Sequence, residues 1–146
     1  MSAPSVSSGP SGQRTLVLLK PDAVRRGLVG AILRRYEDRG LRIVRLEMRT
    51  IDAALADRHY AEHVERDFYP PLREFVTSGP LVAVVLEGDE SIDVVRGING
   101  ATDGRKAAPG TIRGDYSLSN RENLVHGSDS WESAEREIGI WFPDLD

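Results

Sequence analysis

The run Asn123-Leu124-Val125-His126-Gly127-Ser128-Asp129-Ser130 places one imidazole at the end of a short apolar stretch and directly before a helix start. That setting suits a nucleophile. A histidine there points out of a sheet edge towards backbone amides and small hydroxyls, all of which can face an anion. The chemistry it suggests is phosphoryl transfer through His126 itself. Transfer to an imidazole nitrogen splits one displacement into two, so that donor and acceptor use a single site in turn.

A phosphate chain needs cations and donors around it, because the transition state spreads charge over the oxygens of the transferred group. Lys20, Arg96, Thr102 and Arg113 can supply them. The last helical segment carries Glu132, Glu135 and Glu137 with Arg136; helix acids usually form a solvated face, but one that faces back towards the strand end could fix the tautomer and orientation of His126, and Ser128 offers a local hydroxyl. Neither a G-x-x-x-x-G-K-[ST] loop nor a protein-kinase glycine loop occurs, so those phosphate-binding architectures do not apply. A competing pattern is His59-Tyr60-Ala61-Glu62-His63, which matches H-x-x-E-H, two helical histidines one turn apart that bind zinc. A zinc peptidase would also need a third protein ligand and a substrate cleft.

These residues must be positioned by one domain. At 146 residues the chain is long enough to bury a core without staples, and it has no cysteine, so disulfides and thiolate zinc sites are excluded. The net charge of −4 argues against a nucleic-acid role driven by overall basicity. Residues 1–13 carry five serines, two prolines and two glycines, and read as a disordered tail with no signal or transit character. The domain is expected over 14–146. No stretch approaches the roughly 18 consecutive apolar residues needed to span a bilayer, which leads to the expectation of a soluble, cytoplasmic protein without a membrane partner.

Along the chain, Leu16 to Leu19 reads as a buried strand ended by a turn at Lys20-Pro21-Asp22. Val29, Ile32, Leu33 and Tyr36 recur at helical spacing between Gly27 and Gly40. Leu41 to Thr50 alternates as a half-exposed strand, with Val44, Leu46 and Met48 on one side. Asp52 can cap a helix running to about His63, and a shorter helix around Leu72 to Val76 follows Pro70-Pro71. Leu81 to Leu86 is a central strand, Ser91 to Ile98 a helix ended near Gly100, and Ala101 to Gly110 a loop. Asn123 to Val125 forms a last short strand, and Ser130 to Ile140 a closing helix. The order gives an α/β (α+β) sandwich, most simply a ferredoxin-like βαββαβ fold with a four-stranded antiparallel sheet and helices packed on it.

The segment around His126 resembles N-x-x-H-G-S-D-S, the signature of nucleoside diphosphate kinases, and the resemblance extends along most of the chain. Thr15 to Asp22 (TLVLLKPD), Arg26 to Gly30 (RGLVG), Ser78 to Val82 (SGPLV), Pro109 to Asp115 (PGTIRGD) and Ser133 to Phe142 (SAEREIGIWF) resemble that family's other blocks, in the same order. It implies the same fold and a kinase that moves the γ-phosphate of ATP to nucleoside or deoxynucleoside diphosphates. By resemblance, Glu137 is the acid that orients His126, Lys20, Arg96, Thr102 and Arg113 hold phosphates, and Lys20 and Asn123 hold the ribose. Phe68 stacks on the base, with Tyr60 and Leu72 nearby, and a stacking plate with few base-edge hydrogen bonds implies broad base specificity. The resemblance also implies Mg²⁺ arriving with the nucleotide, with no protein metal ligand and Asp129 placed to reach the ion through water. It implies a homo-oligomer, tetramer or hexamer. A low-turnover regulatory nucleotide-binding oligomer is the alternative reading.

Two segments depart from the family pattern. Asp103-Gly104-Arg105-Lys106 stands where N-P-A-D is common, and Gly104 is expected to loosen a loop that contributes to subunit contacts. Arg121-Glu122 stands where glycine-arginine is common, and Glu122 is expected to set a negative charge beside the phosphates.

Overall fold

The computed structural model describes residues 12–146, so most of the expected tail lies outside the described residues. Gln13, assigned to that tail by composition, is the first residue of strand β1 (Gln13–Leu19), where it pairs with Gly88. Leu16 to Leu19 are all buried, with no alternation, because helices cover both faces of the sheet. The same holds for β3 (Leu81–Gly88), which is the other central strand. With β2 (Arg42–Arg49) and β4 (Val125–Gly127) at the edges, the sheet order is β2-β3-β1-β4 and every pairing is antiparallel. This is the expected ferredoxin-like arrangement.

Two apolar layers form because paired residues share a face. Val17, Leu19, Val82, Val84 and Leu86 pack with Ala23 of α1 (Pro21–Arg25), Ile32 and Tyr36 of α2 (Val29–Asp38) and Val95 of α5 (Ser91–Asn99). Leu16, Leu18, Leu81, Ala83 and Val85 pack with Ala56 of α3 (Ala53–His59), Phe75 and Val76 of α4 (Tyr69–Val76), and Trp141 of α7 (Trp131–Trp141). His126 pairs with Leu18 in β4, which puts it on the α3/α7 side of the sheet edge.

Several elements differ from the sequence reading, each for a local reason. Pro21 does not merely start a turn: it occupies the first turn of α1, where its missing N–H costs nothing. A second short helix, α6 (Ile112–Tyr116), follows Thr111, whose hydroxyl accepts from the Gly114 amide. Asp52 caps α3 as expected, through the Leu55 amide, but the helix ends at His59 and continues only as a 3-10 turn at Ala61–His63. The last strand begins at Val125 rather than Asn123, because Leu124 has φ +75°, outside the strand region. In β2 the ladder shifts between Ile43 and Arg45, so Val44 turns to the face opposite its expected neighbours. Leu46 and Met48 remain 43% and 56% exposed.

Gly100 closes α5 at φ +87°, and a methyl there would lie 2.4 Å from the Thr111 hydroxyl oxygen. Gly100→Ala should therefore destabilise the fold by about 1–3 kcal/mol in urea unfolding. Gly97, in the exposed part of α5 with nothing within 4 Å, is the control. Gly97→Ala is expected to stabilise by about 0.5–1 kcal/mol.

Candidate active site

The loop from β1 into α1 and the loop into β4 are locked together. The Lys20 amide donates to the Leu124 carbonyl at 2.8 Å, and the Leu124 amide donates to Asp22 Oδ2 at 3.1 Å. These two bonds hold Leu124 in its left-handed conformation, a strain that persists only where the surroundings over-determine it. Arg113 completes the lock from α6: Nε donates to the Asn123 carbonyl, Nη1 to that of Gly100 and Nη2 to that of Val125, at 3.2, 2.8 and 2.5 Å. Asn123 is thereby fixed, with its amide nitrogen donating to the carbonyls of Thr102 and Asn120 and its Oδ1 accepting from Lys20 Nζ at 2.9 Å.

His126 stands next in this chain of constraints. Its Nε2 lies 2.8 Å from Oε1 of Glu137, which also accepts the Ser128 hydroxyl at 2.7 Å. Glu137 is 5% exposed and Ser128 fully buried. An ionised carboxylate can only accept, so Nε2 carries the proton and Nδ1 keeps its lone pair. On the far side, the ring of His59 meets that of His126 edge to face at 4.7 Å, and Nδ1 of His59 accepts the Trp141 indole N–H at 3.0 Å.

A cleft of about 750 Å³ opens over these groups. Lys20, Tyr60, Phe68, Leu72, Arg96, Thr102, Arg113, Asn123, His126, Asp129 and Glu137 all line it, while Ser128 lies behind the wall on Glu137. Its charged lining is five cations, Lys20, Arg96, Arg113, Arg121 and Arg136, against three carboxylates, Glu62, Asp129 and Glu137. In a chain of net charge −4 this concentrates positive potential where an anion would enter. Glu122 is exposed and absent from this lining, where Arg121 stands instead, so the expected negative charge does not face the cleft. Gly104 is not a loose hinge either: a Cβ there would lie 2.4 Å from the Ser117 carbonyl oxygen, and the close approach demands glycine. Phe68 is 46% exposed, which fits a plate at the cleft mouth and excludes the core.

The helical zinc pair is not formed. His59 is buried against Trp141 and His126, whereas His63 lies on the 3-10 turn with its ring 5.4 Å from Phe68. Four contributors escaped the sequence reading of the site: Asp22, Leu124, Arg136 and Trp141. Arg136 donates to the carbonyls of Arg58 and His59 and so ties α7 to the end of α3. Asp22 carried a signal, an acid in the first turn of a helix; the left-handed Leu124 carried none.

The family model described as nucleoside diphosphate kinase matches residues 13–146. The chain belongs to the nucleoside diphosphate kinase family. A nucleoside diphosphate kinase from Nocardioides sp. is 83% identical over 132 residues, covering 90% of this chain and 98% of that protein. One from Thermobifida fusca is 57% identical over 133 residues, covering 91% and 98%. Among solved structures, a halophilic nucleoside diphosphate kinase from Halobacterium salinarum in complex with CDP is similar with a TM-score of 0.89 and 47% identity, covering 92% of each chain. One from Encephalitozoon cuniculi, without ligand, has a TM-score of 0.88 and 35% identity, with 90% coverage of each.

Burial lowers the Lys20 ammonium to about 8, assisted by the nearby Arg113 charge and opposed by Asp22. Lys20 is charged below that value and neutral above it, so it loses its attraction for phosphate as pH rises. The Kd of the free protein for ADP, measured calorimetrically, should therefore rise through about pH 8, well below the 10.5 of an ordinary lysine. Lys20→Arg, charged throughout, should flatten that rise.

Proposed function

We propose that the protein transfers the γ-phosphate of ATP, or another nucleoside triphosphate, to nucleoside and deoxynucleoside diphosphates by a ping-pong reaction through phospho-His126. The observation that carries this reading is the His126–Glu137–Ser128 array inside a cation-lined cleft. Nδ1 of His126 attacks the γ-phosphorus; the N–P bond forms as the bond to the bridging oxygen breaks, and the diphosphate leaves. An acceptor diphosphate then attacks the same phosphorus through a terminal oxygen, and the imidazole is restored. The Nε2 proton stays on the ring, donated to Glu137 throughout, so the positive charge that the phosphorylated imidazole acquires is paired with a carboxylate and the ring does not rotate.

The remaining residues bind and orient. Lys20 spends one of its three ammonium donors on Asn123, and Arg113 three of its five on carbonyls, which leaves both with donors for phosphate oxygens. Arg96 and Thr102 add to them from the same wall. Both N–H groups of Asn123 are used, so its Oδ1 is the acceptor for a ribose hydroxyl. Phe68, with Tyr60 and Leu72 beside it, serves as the stacking plate, which favours every base alike. The related structure holding CDP supports a nucleoside diphosphate as acceptor.

Mg²⁺ comes as part of the nucleotide substrate and neutralises charge on its phosphates. Asp129, next in the chain to the buried Ser128, is an exposed carboxylate of the cleft lining that fits a water-mediated contact, and hydrogen bonding from Ser133 keeps it ionised below the usual range. Within this reading the protein works in the cytoplasm as a homo-oligomer, a tetramer or hexamer. Among the described residues, no helix is long and apolar enough to cross a membrane.

The test is incubation with γ-labelled ATP and Mg²⁺, followed by intact-mass measurement at neutral and acidic pH. One phosphate that is lost in acid, chased onto GDP and absent from His126→Ala is expected. Nucleotide binding without any adduct would overturn the kinase reading in favour of a regulatory nucleotide-binding oligomer. Glu137→Gln should lower kcat by about 100-fold or more while leaving the Kd for ADP nearly unchanged, because it frees the orientation of the ring without touching the nucleotide.

A further inference from the structure

Phosphoryl transfer leaves one cluster behind the nucleophile unexplained. A nitrogen of His59, a nitrogen of His126 and a carboxylate oxygen of Glu137 lie within 4.8 Å of one another. Two imidazoles and one carboxylate beside an open cleft are a donor set that suits Zn²⁺, and imidazole favours transition metals over Mg²⁺. An ion held there would immobilise the very ring that must accept phosphate.

Trp141 removes that capacity. An indole N–H can only donate, and it donates to Nδ1 of His59 within the core. The Nδ1 lone pair is thereby used, and the neutral ring carries its single proton on Nε2. Whichever nitrogen faces the cluster, none is free to ligate. For His59 to bind a metal through Nε2, the proton must move to Nδ1, where it would confront the indole proton and leave a buried donor unpaired. The carboxylate oxygen of Glu137 already accepts from both His126 and Ser128. Among the imidazole nitrogens of the cluster, the lone pair left over is Nδ1 of His126, the atom that attacks phosphorus in the reading above.

We propose that Trp141 is a positioning residue: by holding His59 as its Nε2-protonated tautomer, it keeps transition metals off the His59–His126–Glu137 cluster. The benefit of this arrangement rests on His126 being the nucleophile, but the exclusion of metal does not require turnover. The structural role of Trp141 in the core predicts only a loss of stability on substitution. The tautomer lock requires a gain of metal binding.

The experiment titrates the nucleotide-free wild type and Trp141→Phe with Zn²⁺ in competition with a chromophoric chelator. Trp141→Phe should bind one Zn²⁺ about 10-fold or more tightly than the wild type. Adding His59→Phe to it should abolish the gain. Equal affinity of wild type and Trp141→Phe, or a gain that survives His59→Phe, overturns the proposal. A two-bond ¹H–¹⁵N correlation spectrum of the wild type gives a reading that does not depend on any variant folding. Protonated Nε2 and unprotonated Nδ1 in His59 are required, and a proton on Nδ1 sinks the idea. If the zinc result is as expected while zinc-free wild type forms no phosphohistidine, metal exclusion stands and the kinase reading falls.

Discussion

A carboxylate as buried as that of Glu137, 5% exposed, carries a desolvation cost of several kcal/mol unless donors meet it directly. Both donors come from the β4 segment, His126 from within the strand and Ser128 just beyond it. The pairing therefore fixes how α7 lies on the sheet edge as much as it orients the imidazole. Ser128 also accepts the Leu16 amide from β1, so the same carboxylate is tied to the central strand through one hydroxyl. Packing and site chemistry are one constraint here: a shift of α7 would strand a charge, and rotation of the ring would do the same.

The opposite wall obeys a similar rule with a cation. Arg113 sits 9% exposed and meets carbonyls from the cap that ends α5, from β4 and from the strained loop between α6 and β4. Burial lowers its guanidinium to about 10, still charged at neutral pH. The backbone carbonyls of Gly100, Asn123 and Val125 are met by a side chain that also faces the cleft, that of Asn123 accepting from the Val125 amide as well. The left-handed Leu124 is the cost of turning the chain sharply enough to aim Asn123 at Lys20.

What was legible in the sequence follows from how local each signal was. Unbroken apolar runs gave β1 and β3, and helical spacing gave α2, because burial on two faces or one stripe writes itself into residue type. Residues drawn from separate blocks, such as Lys20, Arg96, Arg113 and Asn123, do line one cleft with His126. Less was legible where backbone geometry decided. The bulge in β2, the early end of α3 and the late start of β4 depend on tertiary contacts and on one positive φ, none of which residue type reveals. His59 was singled out for a zinc motif with His63, yet its partner is Trp141, 82 residues away. A side chain on a short, partly buried helix can be read for burial but not for which distant donor it meets.

The claim that orders the whole account is that phosphate passes through His126 rather than directly between nucleotides. Transfer from ATP made chiral at the γ-phosphorus with oxygen isotopes, analysed by ³¹P NMR of the product triphosphate, tests it without altering the protein. Two in-line displacements through the histidine require net retention of configuration. Net inversion would mean a single displacement between bound nucleotides and would contradict the account.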